Sequence, residues 1–226
     1  MVISDGIVLR RNRNTLSWRL TAIALVFAAL LALSGCWVYS VNPLYEEGRS
    51  QPDPDLVLDQ SLIGSWGHMD DNCLWILTVG GEGSAYGMTM APSSGCKSDE
   101  KTSKYEGHLV KLGSHQFLDV NARSGEVCDL CLPLHSIFLV SRENGDLALI
   151  PVDLSWMSRA INEKKVVLAH LPSQDSSGRS SEVVKASDAV VLTASSQELK
   201  EFVRKYADDK AAFKPDSDAI LKFKRR

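Results

Sequence analysis

The sequence predicts a mainly β fold of the α+β class, an antiparallel β-barrel or β-sandwich with two helices. From residue 61 onward, short apolar runs alternate with turn signals at the spacing of antiparallel strands. One turn signal is Glu143-Asn144-Gly145-Asp146, because Asn-Gly tolerates the positive φ of tight hairpins. Two other segments, after residues 153 and 195, carry apolar residues at helical spacing instead.

The N-terminal segment has the three parts of a secretory signal. Four arginines precede an uncharged apolar run over residues 20–33, and a short step of small residues leads to Cys36. The motif Leu33-Ser34-Gly35-Cys36 resembles the lipobox of bacterial lipoproteins. The resemblance implies a signal peptide over residues 1–35, cleavage before Cys36, acylation of this cysteine and a lipid anchor in the cell membrane.

An uncleaved transmembrane helix is the alternative, because no charge lies between Arg19 and Glu46. Residues 20–35 alone are short for a membrane span, and Pro43 follows closely. Both alternatives place the chain after about residue 40 outside the cytoplasm. Trp37 stands where an aspartate would indicate inner-membrane retention in the best-studied lipoprotein families, so we expect the outer membrane if the host has one.

Residues 36–60 are predicted to be the lipidated cysteine followed by a flexible tether. Three prolines and several charged side chains leave this segment little to bury. Asn42-Pro43-Leu44-Tyr45, followed by Leu62-x-Gly64-x-Trp66, is similar to a group of bacterial lipoproteins with no assigned activity. Residues 61–226 are then a single β-rich domain, large enough for an ordinary core.

Two segments in the strand series also predict whether their strands lie in the centre or at the edge of a sheet. Residues 73–79 are apolar on both faces, which predicts a central strand. Lys222 and Lys224 alternate with apolar residues, which predicts an edge strand guarded by lysines. Strands are predicted over residues 61–68, 73–79, 85–90, 105–112, 116–121, 134–141, 147–152, 166–171, 189–193 and 219–224.

The two helices have recognisable starts. Asp153 or Ser155 can cap a short helix after residue 153. Ser195 and Glu198 have capping-box spacing, and the apolar stripe that follows predicts a core-facing helix to about residue 213.

The motif Gly64-x-Trp66 resembles the opening motif of lipocalins and other calycins. The resemblance implies an eight-stranded barrel whose tryptophan closes one end. In such a barrel the alternating residues Tyr86, Met88 and Met90 point inward, where they either fill a solid core or surround one small ligand.

Cys73, Cys96, Cys128 and Cys131 remain once Cys36 is set aside. On the oxidising side of a membrane, an even number of cysteines predicts disulfides. Three pairings are possible. We favour the local pairing Cys73–Cys96 with Cys128–Cys131, in which the larger loop contributes more stability.

The Cys128-Asp129-Leu130-Cys131 motif allows two other interpretations. It could be a redox site, although Leu132-Pro133 leave no helix to stabilise a thiolate. Cys128, Cys131 and His135 could instead bind zinc, with His68 or Asp129 as the fourth ligand.

The remaining sequence carries no motif for catalysis or for a cofactor. The net charge of −3 becomes −6 without residues 1–35, which hold four arginines and Asp5, and this speaks against nucleic acid as a partner. No nucleophile elbow, P-loop, dinucleotide fingerprint or H-E-x-x-H helix is present, and the five histidines are scattered.

The predicted function is a lipid-anchored envelope domain that binds a small apolar ligand or an envelope protein. The alternative is a periplasmic thiol-disulfide or metal-dependent activity centred on Cys128 and Cys131.

Overall fold

The computed structural model describes residues 37–48, 50–70, 72–97, 100–123, 134–171, 173–174, 180–181 and 189–226. Cys36, Cys128, Asp129 and Cys131 lie outside these residues. The strands are β1 (Val38–Ser40), β2 (Leu56–Val57), β3 (Gly64–Asp70), β4 (Cys73–Glu82), β5 (Ala85–Ser94), β6 (Ser103–Leu112), β7 (His115–Ala122), β8 (His135–Glu143), β9 (Asp146–Pro151), β10 (Ser173–Gln174), β11 (Ser180–Ser181), β12 (Val190–Leu192) and β13 (Leu221–Arg225), and the helices are α1 (Leu154–Asn162) and α2 (Ser196–Tyr206).

Eight strands form a closed antiparallel barrel, which confirms the predicted fold class. Strands β3 to β9 follow one another as a meander, and β13 lies between β9 and β3. The prediction of an edge strand near residues 219–224 is therefore wrong, because β13 is paired on both sides. Lys222 and Lys224 are exposed on the outer face while Phe223 is buried. The alternation of lysine with apolar residues therefore indicates which face of β13 is exposed to solvent. It does not indicate whether β13 has neighbouring strands on one side or on both.

The segment before the barrel is part of the fold, so the prediction of a flexible tether is wrong for its described residues. Strand β1 pairs antiparallel with β8 and parallel with β12. Leu44 and Tyr45 are buried. The carboxylate of Asp53 is also buried, and it accepts hydrogen bonds from the Lys200 ammonium group of α2, with the shorter N–O distance at 2.7 Å. The charge of Asp53 therefore has a partner within the protein.

Both predicted helices are present. Asp153 caps α1, and Ser195 and Glu198 form the predicted capping box of α2. Helix α2 ends at Tyr206 and not near residue 213. The Asp209 carboxylate accepts the Ala211 N–H at 2.8 Å, a local bond that offers the backbone a turn in place of the helix. Of the strand predicted over residues 166–171, the structure has only the bridge between His170 and Leu192.

The apolar residues form two cores. One lies inside the barrel and contains Tyr86, Met88 and, partly buried, Met90, which confirms that these three residues face inward. The other lies between the outer barrel wall and the two helices, with Phe117, Met157 and Leu199 among its members. No helix within the described part of the chain is long and apolar enough to cross a membrane.

Candidate functional site

The barrel interior contains a cavity of about 720 Å³ toward one end. Its wall consists of the inward-facing residues of the barrel strands together with β1, so the period-two alternation of each strand supplies one row of the wall. Most wall residues are aromatic or aliphatic. They are Trp37, Tyr39, His68, Asp70, Trp75, Leu77, Met88, Met90, Ser103, Tyr105, Val120, Ala122, Leu134, Ser136, Phe138, Leu149, Leu221 and Phe223.

The opposite end of the barrel is filled around Trp66. Its indole N–H donates to the carbonyl oxygen of Leu62 at 2.9 Å, in the 3₁₀ helix Gln60–Leu62. The Arg225 guanidinium lies 5.2 Å from the centre of the Trp66 ring and donates to the carbonyl oxygens of Ser61 and Ile63. Trp66 thus lies at a closed end of the barrel.

The open end is bordered by a disulfide that the sequence predicted and by Trp37, which the sequence assigned to the tether. The disulfide between Cys73 and Cys96 is present, which confirms the favoured local pairing for these two cysteines. Cys73 lies opposite Asp70 at the β3–β4 turn. Trp37 packs edge-on against Phe138, with the ring centres 5.6 Å apart. The residue that follows Cys36 is therefore a wall residue of the cavity.

Most polar groups of the described cavity wall are hydroxyl and indole groups, so the wall offers hydrogen-bond donors as well as acceptors. Asp70 is the one carboxylate among the described wall residues, and none of these residues is lysine or arginine. The Nδ1 atom of His68 lies 2.8 Å from the carbonyl oxygen of Lys222, so Nδ1 carries the proton and donates it.

A second cluster of polar residues lies on the outer barrel wall beneath residues 37–48. The buried Asp119 and His135 form an ion pair with 2.6 Å between Oδ1 and Nδ1. The other carboxylate oxygen of Asp119 accepts the backbone N–H of Leu44 at 2.6 Å. The sequence signal for this cluster is Asp119 itself, a carboxylate within the apolar strand β7. Its two partners, on β8 and in the segment after β1, are identifiable only from the tertiary structure.

The neighbouring groups of this cluster are held in their uncharged or paired states. Burial lowers the pKa of His108, whose ring lies 4.2 Å from that of Tyr45. Burial and the adjacent Glu47 raise the pKa of Tyr45, so its hydroxyl stays protonated and donates to Glu47 at 3.1 Å. Burial alone would lower the pKa of His135, but the hydrogen bond and charge of Asp119 raise it overall. The cluster fastens residues 37–48 to the barrel.

The structure does not bring His68 and His135 together. His68 faces the barrel interior, whereas His135 is bonded to Asp119 on the outer wall. Over the described ranges, no group of three or more His, Cys, Asp or Glu side chains is placed to hold a metal ion. Cys128, Asp129 and Cys131 are outside those ranges, so their redox and zinc interpretations stay predictions.

No protein-family model, curated protein or solved structure matches this chain. The cavity and its wall therefore carry the functional conclusion.

Proposed function

We propose that this protein is a lipid-anchored binding protein that holds an apolar small molecule in the open end of its barrel. The observation that carries the proposal is the cavity of about 720 Å³ with its largely aromatic and aliphatic wall. Ligand pockets typically have volumes of roughly 300–1,000 Å³ and such apolar walls. An eight-stranded barrel has room for one small ligand where side chains do not fill it.

The wall offers enough apolar surface for useful affinity. Transfer of one methylene group from water to an apolar site contributes about 0.8 kcal/mol, so a decyl chain contributes roughly 8 kcal/mol before any cost. Association and ordering of the ligand oppose binding by several kcal/mol. We therefore expect dissociation constants in the micromolar range or weaker for simple hydrocarbon chains.

Lipidation at Cys36 would place the anchor beside this cavity. Consecutive Cα atoms lie about 3.8 Å apart, and Trp37 is already a wall residue. An acylated Cys36 would hold the open end close to the bilayer, from which an apolar molecule could enter without crossing water. The proposal thus joins the lipobox motif and the cavity into one function.

Binding is tested with a chain that begins at Trp37, because both described cores lie within residues 37–226. Organic extraction and mass spectrometry should reveal a co-purified apolar compound, and fluorescent apolar probes should bind saturably. Met90→Trp narrows the cavity and should weaken probe binding by about tenfold or more. Met69→Trp, on the exposed outer side of β3, is the matched control and should leave binding unchanged. A chain with no co-purified compound and no saturable binding would refute the proposal.

Anchoring is tested separately with the full-length gene product. Metabolic labelling with a fatty acid should mark the native protein, and Cys36→Ser should abolish the label and release the protein from membranes. Unlabelled, uncleaved native protein would instead support the transmembrane-helix alternative.

A further inference from the structure

We infer that the ligand is a cationic amphiphile, with a hydrocarbon tail inside the barrel and an ammonium group at its open end. The inference rests on the proposed binding function and names its ligand class. It follows from the chemistry of the described wall residues, which combines a carboxylate and aromatic rings at the open end with an apolar interior.

The carboxylate of Asp70 lies at the open end of the barrel, where the head group of a bound amphiphile would be. Asp70 ends β3 at the turn opposite Cys73, and it is exposed while still lining the cavity. Trp66, on the same face of the strand, lies at the closed end and is buried. A ligand whose tail points toward Trp66 therefore brings its head group beside Asp70.

Aromatic faces accompany this carboxylate. Trp75 lies directly opposite His68 in the pairing of β3 with β4, so Trp75 and Asp70 are diagonal neighbours on the inner face. Trp37 and Tyr105 line the same cavity. Aromatic faces attract cations, tryptophan most strongly, and such rings recognise quaternary ammonium groups.

Among the described wall residues, an anionic head group would have hydroxyl and indole donors as partners but no cationic side chain of lysine or arginine. The described wall has no lysine or arginine, and the protonated Nδ1 of His68 is already bonded to the Lys222 carbonyl oxygen. Arg123, close to the end of β7, binds the carboxylate of Glu106 at 2.7 Å on the outer wall. A fatty acid would therefore place its carboxylate beside Asp70 with no lysine or arginine of the described wall to offset the repulsion, which disfavours binding.

The test uses the full-length lipidated protein in nanodiscs of zwitterionic lipid, with empty nanodiscs subtracted. Decyltrimethylammonium, decanol and decanoate have the same tail and differ in head-group charge, and calorimetric titration gives the affinity of each. We expect decyltrimethylammonium to bind about tenfold more tightly than decanoate, with decanol between them. Equal affinities, or tighter binding of decanoate, would overturn the inference and leave the proposed function standing. Absence of binding by all three would refute both.

Two variants test whether Asp70 and Trp75 cause the preference for the ammonium ligand. Asp70→Asn should weaken decyltrimethylammonium binding by about threefold to tenfold and leave decanol unchanged, whereas Trp75→Leu should weaken the ammonium more than decanol. Asp146→Asn removes an exposed carboxylate at the β8–β9 hairpin and is the matched control. An unchanged ammonium preference in both Asp70→Asn and Trp75→Leu would overturn the assignment of the head-group site.

Discussion

The same eight strands form both ends of the barrel interior, but one end is packed with side chains and the other contains the cavity. At one end, Trp66 and Tyr86 are buried beneath the 3₁₀ helix Gln60–Leu62. The Tyr86 hydroxyl accepts the Asp59 N–H at 2.7 Å, which ties that cover to the barrel. At the other end, Trp75 and Tyr105 remain partly exposed around the cavity. The strand alternation is the same at both ends, so the covering segment decides whether the interior is core or cavity.

The closed end is therefore the packed end of the barrel interior, and the open end is where we propose that the ligand binds. Arg225 illustrates the difference, because its guanidinium both covers Trp66 and donates to two backbone carbonyl oxygens of the 3₁₀ segment. The open end has no comparable cover among the described residues. Its wall is instead extended by β1, which the Asp119–His135 pair helps to hold in place.

The largest expected difference is between the two inward tryptophans. Trp66→Ala should lower the free energy of unfolding by about 3–5 kcal/mol, because it empties a buried site. Trp75→Ala should lower it by less than about 1.5 kcal/mol and weaken probe binding, because the ring already borders the cavity. Guanidinium unfolding and probe titration measure both effects. Equal losses of stability would contradict the division between the two ends.

The next effect concerns the disulfide at the open end. Cys73 and Cys96 are 23 positions apart, and opening a loop of this size should lower the free energy of unfolding by about 3.4 kcal/mol. Cys73→Ser should therefore destabilise the protein more than Cys131→Ser, whose predicted loop is worth only about 1.9 kcal/mol. Thermal melts compare the two variants. Four free thiols in protein purified without reductant would refute the disulfides altogether.

The Asp119–His135 pair should contribute a smaller amount. Asp119→Asn leaves either the Leu44 N–H or the His135 ring without an acceptor, which should lower the free energy of unfolding by about 2 kcal/mol. Asp208→Asn breaks the exposed pair between His115 and Asp208 and should have almost no effect. Urea unfolding of both variants provides the comparison. A similar loss in the two variants would show that burial of the first pair is energetically unimportant.

Arg225→Met should have an effect of about 1–2 kcal/mol, confined to the closed end. The variant keeps an apolar chain over Trp66 but loses the two hydrogen bonds to the 3₁₀ segment. Tryptophan fluorescence should report water reaching Trp66 while probe affinity stays unchanged. Loss of probe binding at unchanged stability would reverse the assignment of the two ends.

The smallest effect is a pH dependence. The pKa of His135 is raised above its ordinary value by Asp119 against the opposing effect of burial. The stabilisation is therefore complete below the unfolded imidazole pKa of about 6.5 and is lost as pH rises through the raised pKa. Stability differences between the native protein and Asp119→Asn, measured from pH 5 to pH 9, should shrink with rising pH. Burial lowers the pKa of His108, so this histidine also contributes to the pH dependence of stability. Taking the difference between the two proteins reduces that contribution. A difference that grows with pH would contradict this assignment.

Short-range features of the fold followed from the sequence by itself. Asn144 and Gly145 have φ angles of 53° and 85°, as the hairpin signal predicted. The capping box of α2 and the inward row of β5 also needed only neighbouring residues. Such signals succeed because steric preference, capping and strand alternation act over a few positions.

The tertiary structure alone decided where the barrel closes and what lies at each end. Leu44 and Asp119 are hydrogen-bonded although they lie 75 positions apart in the sequence. Asp53 and Lys200 are hydrogen-bonded across 147 positions. Strand β13 enters between β3 and β9, although its own pattern is equally compatible with an edge. Residues so far apart are brought together by the packing of the whole chain, since a polar side chain can be buried wherever the fold supplies its partner. The cavity has the same origin, because the segment Gln60–Leu62 covers Trp66 whereas Trp75 stays partly exposed at the cavity.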